Sequence, residues 1–290
     1  MIEGGRFLMG SEQFYEDERP VVEVAVGPFE IDRSPVTNAE FARFVEESGY
    51  LTVAERPLEG PEFDHLPPLE RAPGSLVFVG TPGPVDLSNW RAWWRWVQGA
   101  NWRHPRGPDS GISEKANHPV VQVALADAEA FAVWAGRRLA TEAEWEYAAR
   151  GGLVGTTYAW GEDPHPNGTL MANTWQGAFP YSNTGAHGWA GTSPVGAFPP
   201  NGFGLNDMIG NVWEWTSSAY TSTHHAPGHS CCSGTLGDEP DGNRMVLKGG
   251  SHLCAPEYCL RYRPAARSPQ TADTSTSHIG FRCVSDLVTQ

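Results

Sequence analysis

Hydrophobic positions fall on every second residue in VVEVAVGPFEI, where Val22, Val24 and Val26 keep the period of a half-buried strand. The opening GGRFLMGS reads as another strand before it. The period changes in PVTNAEFARFVEESGY. There Phe41, Phe44 and Val45 make one apolar face, Thr37 and Glu40 have the spacing of a capping box, and Gly49 follows as a stop, which predicts a helix from Asn38 to Ser48. HPVVQV, residues 118–123, predicts a strand. LADAEAFAVWAG predicts a helix stopped near Gly136, and RLATEAEWEYAARGG a further helix behind a capping box of Thr141 and Glu144, ending before Gly151 and Gly152. Beyond it, AWGEDPHPNG, NTGAHGW and FPPNGFG predict mostly turns, and long helical periodicity does not return. Residues 51–118 are rich in Pro and Trp with little period. Trp90, Trp93, Trp94, Trp96 and Trp102 crowd one short stretch, either as a core cluster under a long loop or as one wall of a peptide-binding groove.

Composition narrows the class. The chain has 290 residues and 40% hydrophobic content, enough for one sizeable core. Only 19% of residues are charged, while 33 Gly and 24 Pro predict much irregular backbone. The 12 Trp and 11% aromatic content argue against disorder. A net charge of −14 repels phosphate backbones, so no nucleic-acid partner is expected. No run has the apolar length of a membrane span, and MIEGGRFLMG lacks a basic start followed by an apolar run. A cytoplasmic protein without membrane association is the expectation.

The cysteines bring in candidate chemistry. There are 5, Cys231, Cys232, Cys254, Cys259 and Cys283, and an odd count argues against a disulfide framework. Cys254 and Cys259 stand close in GGSHLCAPEYCLRYR without the second pair a structural zinc site wants, and the adjacent Cys231 and Cys232 do not supply one. Spacing leaves three readings open: two small buried hydrophobes, a soft Cu(I) site, or a reversible redox couple. His224, His225 and His229 share one loop without helical spacing or nearby carboxylates, which predicts a solvated loop rather than a ligand set.

Longer motifs decide between these. KGGSHLCAPEYCLRYRPAARSPQTADTSTSHIGFRC resembles the C-terminal active-site segment of formylglycine-generating enzymes. GTSPVGAFPPNGFGLNDMIGNVWEWTSS, RLATEAEWEYAARGG, ANTWQGAFP, GGRFLMGS and IDRSPVTNAEFARFV resemble the same family in the same order, so the resemblance spans nearly the whole chain. GNVWEW and GFRC mark a wider superfamily. The cysteine pair within GGSHLC and RYR is more specific.

The resemblance implies an α+β fold of the formylglycine-generating, C-type-lectin-like type: one compact, loop-rich domain over residues 1–290, low in regular secondary structure and monomeric. It implies oxidation of the cysteine in a Cys-X-Pro-X-Arg motif of an unfolded sulfatase polypeptide to Cα-formylglycine. Molecular oxygen is then the oxidant, Cu(I) the cofactor and an external thiol the reductant. Cys254 and Cys259 match the two copper thiolates, with the substrate cysteine adding a third. Ser251 and Trp213 match residues beside the oxygen pocket, Tyr258 a tyrosine near the reacting centre, and His278 a position lining the substrate groove. The alternative for each of these four side chains is packing.

The resemblance also implies structural calcium. Asp207 and Glu214, with carbonyls of Met208, Gly210 and Val212 between them, match one family site. Asn173, Thr174 and Trp189 match a second, where His187 replaces a common Asp. A neutral imidazole is a poor calcium ligand, so water would have to complete that site. Vertebrate relatives have cysteines where this chain has Ala132 and Pro264, so Cys283 is left as a buried thiol. The reading from another class is a non-catalytic peptide- or carbohydrate-binding module of the same fold.

Overall fold

A computed structural model describes residues 1–224 and 243–287. Among the described residues, eleven strands and three α-helices alternate with long irregular segments in an α+β arrangement. The N-terminal strands β1 (Gly5–Met9) and β2 (Val22–Val26) pair antiparallel, Gly5 opposite Val26. Val22 and Val26 point inward between exposed neighbours, as the alternation predicts. Gly27 and Pro28 then separate β2 from β3 (Phe29–Ile31), dividing a stretch that reads as one strand.

Helix α1 (Asn38–Ser48) has the predicted ends. The Thr37 hydroxyl accepts from the Glu40 amide, the Glu40 carboxylate accepts from the Thr37 amide, and Gly49 caps at φ 68°. Residues 51–118 form a hairpin of β4 (Gly74–Phe78) and β5 (Trp94–Gln98), so part of the Trp-rich stretch is a strand after all. Residues 118–123 are not a strand: a single bridge joins Thr37 to Pro119. Gln122 adopts φ 63°, which ends extended backbone, and its side-chain Nε2 donates to the Pro105 carbonyl at 2.8 Å. The valines there are buried, so the apolar run reflects core position rather than pairing. Helix α2 (Leu125–Trp134), the short β6 (Arg138–Leu139) and helix α3 (Glu142–Arg150) follow, with the Thr141–Glu144 box in place and Gly151 at φ 57°.

The second half contains the main sheet, where the periodicity predicts turns. Strands β7 (Trp213–Ala219), β8 (Arg244–Lys248), β9 (Arg267–Thr271) and β10 (Ile279–Gly280) lie in the order β10-β7-β8-β9. The last strand, β11 (Cys283–Asp286), sits between β3 and β6 and so ties the C-terminus to the N-terminal half. Phe41, Phe44, Phe131, Trp215 and Phe281 pack where α1, α2 and the main sheet meet. Trp145 of α3 centres a second cluster, and Trp93, Trp175, Phe179 and Leu253 a third. The third cluster lies beside the cysteine pair and shapes the cavity described next.

Candidate active site

The chain leaves β8 through Gly249 and Gly250, at φ 94° and 73°. A Cβ on Gly249 would stand 2.8 Å from the Met208 carbonyl oxygen, so only glycine fits this approach. The following turn brings the two cysteines together. The Cys254 amide donates to the Ser251 carbonyl at 2.9 Å, and the Cys259 amide to the Ala255 carbonyl at 2.7 Å. The sulfurs of Cys254 and Cys259 lie 3.0 Å apart. That is well beyond the roughly 2.05 Å of a disulfide bond, and both are free thiols. The Ser251 amide donates to the Cys254 sulfur at 3.4 Å.

The two thiols differ. Burial pushes Cys254 well above the ordinary thiol range, and hydrogen bonding to Cys259 adds to this. Cys259 is lowered, first by the hydrogen bond from Cys254, with the Arg261 and Arg263 charges contributing. Geometry and charge together favour the thiolate on Cys259 over Cys254.

The pair opens into a cavity of about 470 Å³. Ser251, Trp213, Tyr258 and His278 all line it with the two cysteines. Trp213 starts β7 and His278 precedes β10, so the edge of the main sheet delivers both to the thiol turn. Tyr258 stacks on Phe179 with centroids 4.5 Å apart and meets Trp93 edge-on at 5.2 Å. His278 packs against Trp94 at 4.9 Å and is bonded to the Thr276 hydroxyl at 2.7 Å. Burial lowers His278 to about 3, so it is a neutral imidazole at physiological pH.

The tryptophans divide between the two readings. Trp90, Trp93 and Trp94 wall the cavity, whereas Trp102 lies in the main core and Trp96 is exposed. Tyr15 and Arg261 also line the cavity. Sequence reasoning misses Tyr15 because it sits in an irregular loop far along the chain from the cysteines. Arg261 carried a signal, its place in the CLRYR run.

The calcium candidates lie away from the cavity. Asp207 is buried, and burial, with the Glu214 charge adding to it, raises its carboxyl to about 6. Its Oδ2 accepts from the Gly196 amide at 2.7 Å, while Oδ1 is buried without a partner. Glu214 is engaged: Arg282 donates to both its oxygens, at 2.7 and 2.8 Å, and the Trp145 indole donates to Oε2 at 2.7 Å. Met208, Gly210 and Val212 are buried along the turn between the two carboxylates. At the second position Asn173 Oδ1 is likewise buried without a partner. Thr174 is half-buried, Trp189 is exposed against His118, and the His187 ring packs on Phe198 at 5.2 Å. An orphaned carboxylate oxygen and an orphaned amide oxygen both suit a hard cation.

His224 is not solvated as its loop predicts. It is buried with Nε2 3.6 Å from Glu142, within a network that includes Arg267, Lys248 and Glu146. His225, His229, Cys231 and Cys232 lie outside the described residues. Cys283 is buried beside Ala132 in the main core, and burial pushes its thiol up to about 12. Among the described residues no three His, Cys, Asp or Glu side chains cluster as a metal site, so the cysteine pair stands without further protein ligands of those types. None of the described helices is long and apolar enough to cross a membrane.

Comparison with known proteins gives a consistent picture. Residues 1–287 match the family described as Sulfatase-modifying factor enzyme 1-like domain. The chain is 60% identical to the formylglycine-generating enzyme of Mycobacterium tuberculosis over 291 residues, covering 99% of this chain and 97% of that protein. It is 46% identical to the formylglycine-generating enzyme of Streptomyces coelicolor, covering 98% of this chain and 88% of that protein. Among solved structures it is similar to PvdO from Pseudomonas aeruginosa, with a TM-score of 0.63 and 25% identity over 98% of this chain and 92% of that one.

Proposed function

The chain belongs to the sulfatase-modifying factor enzyme 1-like family, and from that premise we propose that it oxidises the cysteine of a Cys-X-Pro-X-Arg segment in a sulfatase polypeptide to Cα-formylglycine. The observation that carries this reading is the reduced Cys254–Cys259 pair, its sulfurs 3.0 Å apart at the wall of an open cavity.

The reaction balances with one O2. The substrate cysteine loses one hydrogen from Cβ and one from its sulfur and becomes a thioaldehyde, which adds water and releases hydrogen sulfide to leave the aldehyde. Two electrons from the substrate and two from an external thiol reduce O2 to two waters, and the thiol leaves as its disulfide. Two thiols without harder ligands are a donor set that suits Cu(I). Held between Cys254 and Cys259, Cu(I) would supply the one-electron chemistry that lets ground-state oxygen react.

The chain's own residues do the rest. Cys259, whose thiolate is the more favoured, and Cys254 would hold a soft cation through their sulfurs, each as its thiolate. The Ser251 amide steadies the Cys254 sulfur. Trp93, Phe179 and Tyr258 give the substrate segment an apolar wall and keep bulk water from the thioaldehyde. His278, neutral and tied to Thr276, offers polarity without charge. An unfolded segment fits such a cavity because the cysteine must reach its wall.

Calcium belongs to the same proposal as a structural ion, with Asp207 and Asn173 as ligands through their orphaned oxygens. The same reading places the chain in a reducing cytoplasm, as a monomeric single domain.

The test incubates copper-loaded protein with oxygen, a thiol reductant and a peptide containing Cys-X-Pro-X-Arg, and probes for aldehyde by mass spectrometry. Aldehyde from the wild type, and none from Cys254→Ser or Cys259→Ser, supports the proposal. Full activity in either variant refutes the thiol assignment. Peptide binding without aldehyde under copper would instead favour a binding module.

A further inference from the structure

The cavity beside the thiol pair poses a question of charge. The proposed substrate segment carries an arginine four residues after its cysteine, yet among the described residues no carboxylate lines the cavity. The charged residue that does line it there, Arg261, is itself a cation and already holds Asp17 at 2.9 Å. A guanidinium seated along this wall needs another kind of partner. The face of an indole is one, since its ring quadrupole attracts a cation.

The β4–β5 hairpin supplies such a face. Trp94 pairs with Phe78 and Trp96 with Leu76, so these four side chains share one face of the hairpin. Trp94 and Leu76 line the cavity, which puts Trp96 at its rim. The Trp96 indole reaches over Gly74, where a Cβ would stand 3.1 Å from Nε1. Trp90, Trp102 and Trp134 each carry an arginine of the chain over the ring, at 4.9, 4.1 and 5.3 Å. Trp96 is exposed and carries none among the described residues, which leaves its face to a cation from outside.

The register of the hairpin matches that of the substrate. In an extended chain, residues two apart point the same way and stand about 6.6 Å from each other. The cysteine, proline and arginine of Cys-X-Pro-X-Arg therefore share one face, and the proline keeps the residue before it extended. Trp94 and Trp96 repeat along β5 with the same period. With the substrate cysteine at the thiol pair, the proline lies against Trp94 and the arginine against Trp96.

We propose that Trp96 is a specificity-determining residue, which binds the substrate arginine by stacking its indole face on the guanidinium. This rests on the reading of the chain as an oxidase of sulfatase cysteines and assigns how that site selects its segment. The rival holder is Asp273, an exposed carboxylate next to Thr274, which lines the cavity. The two differ in chemistry, since salt screens an ion pair to an exposed carboxylate.

Fluorescence anisotropy with the full chain tests the assignment. The probe is a labelled peptide in which serine replaces the reacting cysteine and the arginine is either kept or replaced by leucine. The arginine peptide should bind the wild type about five-fold more tightly than the leucine peptide, the scale of a partly desolvated cation–π contact. Trp96→Leu should bring the two peptides level, Trp96→Tyr should keep part of the preference, and the preference should persist in high salt. Trp96 is 43% exposed and lies outside the three core clusters, so these variants retain the fold. Equal affinity of the two peptides for the wild type, an undiminished preference in Trp96→Leu, or a preference that Asp273→Asn abolishes overturns the proposal. Binding needs no turnover, so its outcome is separate from the aldehyde assay. A preference without aldehyde refutes the oxidase reading alone, and aldehyde without a preference refutes the arginine assignment alone.

Discussion

The Tyr15 hydroxyl accepts a 3.1 Å hydrogen bond from the amide of Leu260, the residue that follows Cys259. The Arg261 guanidinium lies over the Tyr15 ring at 3.9 Å and pairs with Asp17 at 2.9 Å, while Arg263 forks onto Glu18 at 2.5 and 2.9 Å. One turn near the N-terminus, Glu16–Glu18, thus clamps the chain as it leaves the second cysteine. Tyr15→Phe keeps the ring and removes the acceptor. A net hydrogen bond is worth about 1 kcal/mol, or roughly five-fold in rate if all of it is lost from the transition state. We expect aldehyde formation to fall by about that factor, with the melting temperature nearly unchanged. Wild-type turnover in Tyr15→Phe would show that the clamp does not position Cys259.

The asymmetry of the thiols predicts their order of alkylation. At pH 7.5 iodoacetamide should modify Cys259 first, since its thiolate is favoured by Cys254 and the two arginines and it is only partly buried. Cys254 should follow slowly, and Cys283 should react only on unfolding. Cys254→Ala removes the first cause of the Cys259 shift and should slow its modification several-fold. Peptide mapping by mass spectrometry reads all three sites. Faster labelling of Cys254 than of Cys259 would reverse the assignment of the thiolate.

Those parts of the fold that rest on local signals are legible in the sequence. Thr37 with Glu40 and Thr141 with Glu144 mark their helices because a capping box closes within one turn. The main sheet is not legible for a physical reason: in β7 the run Trp213, Glu214, Trp215, Thr216 is buried on both faces, so no alternation survives. β9 includes a proline and a buried arginine and looks like a loop. The cavity residues from Ser251 to Tyr258 cluster because they share one turn, and motif resemblance found them. Tyr15 shares no local pattern with Leu260, and only the folded chain joins residues 245 positions apart.

Arg282 and Glu214 form a buried pair across the main sheet, with Trp145 as a third partner. Arg282→Met leaves the Glu214 carboxylate without its counter-charge in the interior. Breaking such a pair from one side costs about 3–5 kcal/mol, and urea unfolding should show a loss of that size. If calcium sits at Asp207 beside it, added calcium should restore part of the loss and chelation should deepen it. A loss below about 1 kcal/mol, the range of exposed pairs, would mean that water reaches Glu214.

Asp127 gives the last prediction, a pH dependence. Its carboxyl accepts from the Ala124 and Val53 amides and the Tyr50 hydroxyl, yet burial outweighs these bonds and raises it to about 6. The unfolded value is near 3.9, so between these values the native state holds the proton more tightly than the unfolded chain. Its contribution to stability is therefore full below about pH 4 and is lost as pH rises through about 6, a change on the order of 2–3 kcal/mol. Asp127→Asn does not titrate. Its stability relative to wild type should rise by that amount from pH 4 to pH 7, as measured by urea unfolding. Asp207 titrates in the same range in both proteins, so its contribution cancels in the difference. A difference that stays flat across this range would show that the Asp127 carboxylate is hydrated in the folded chain.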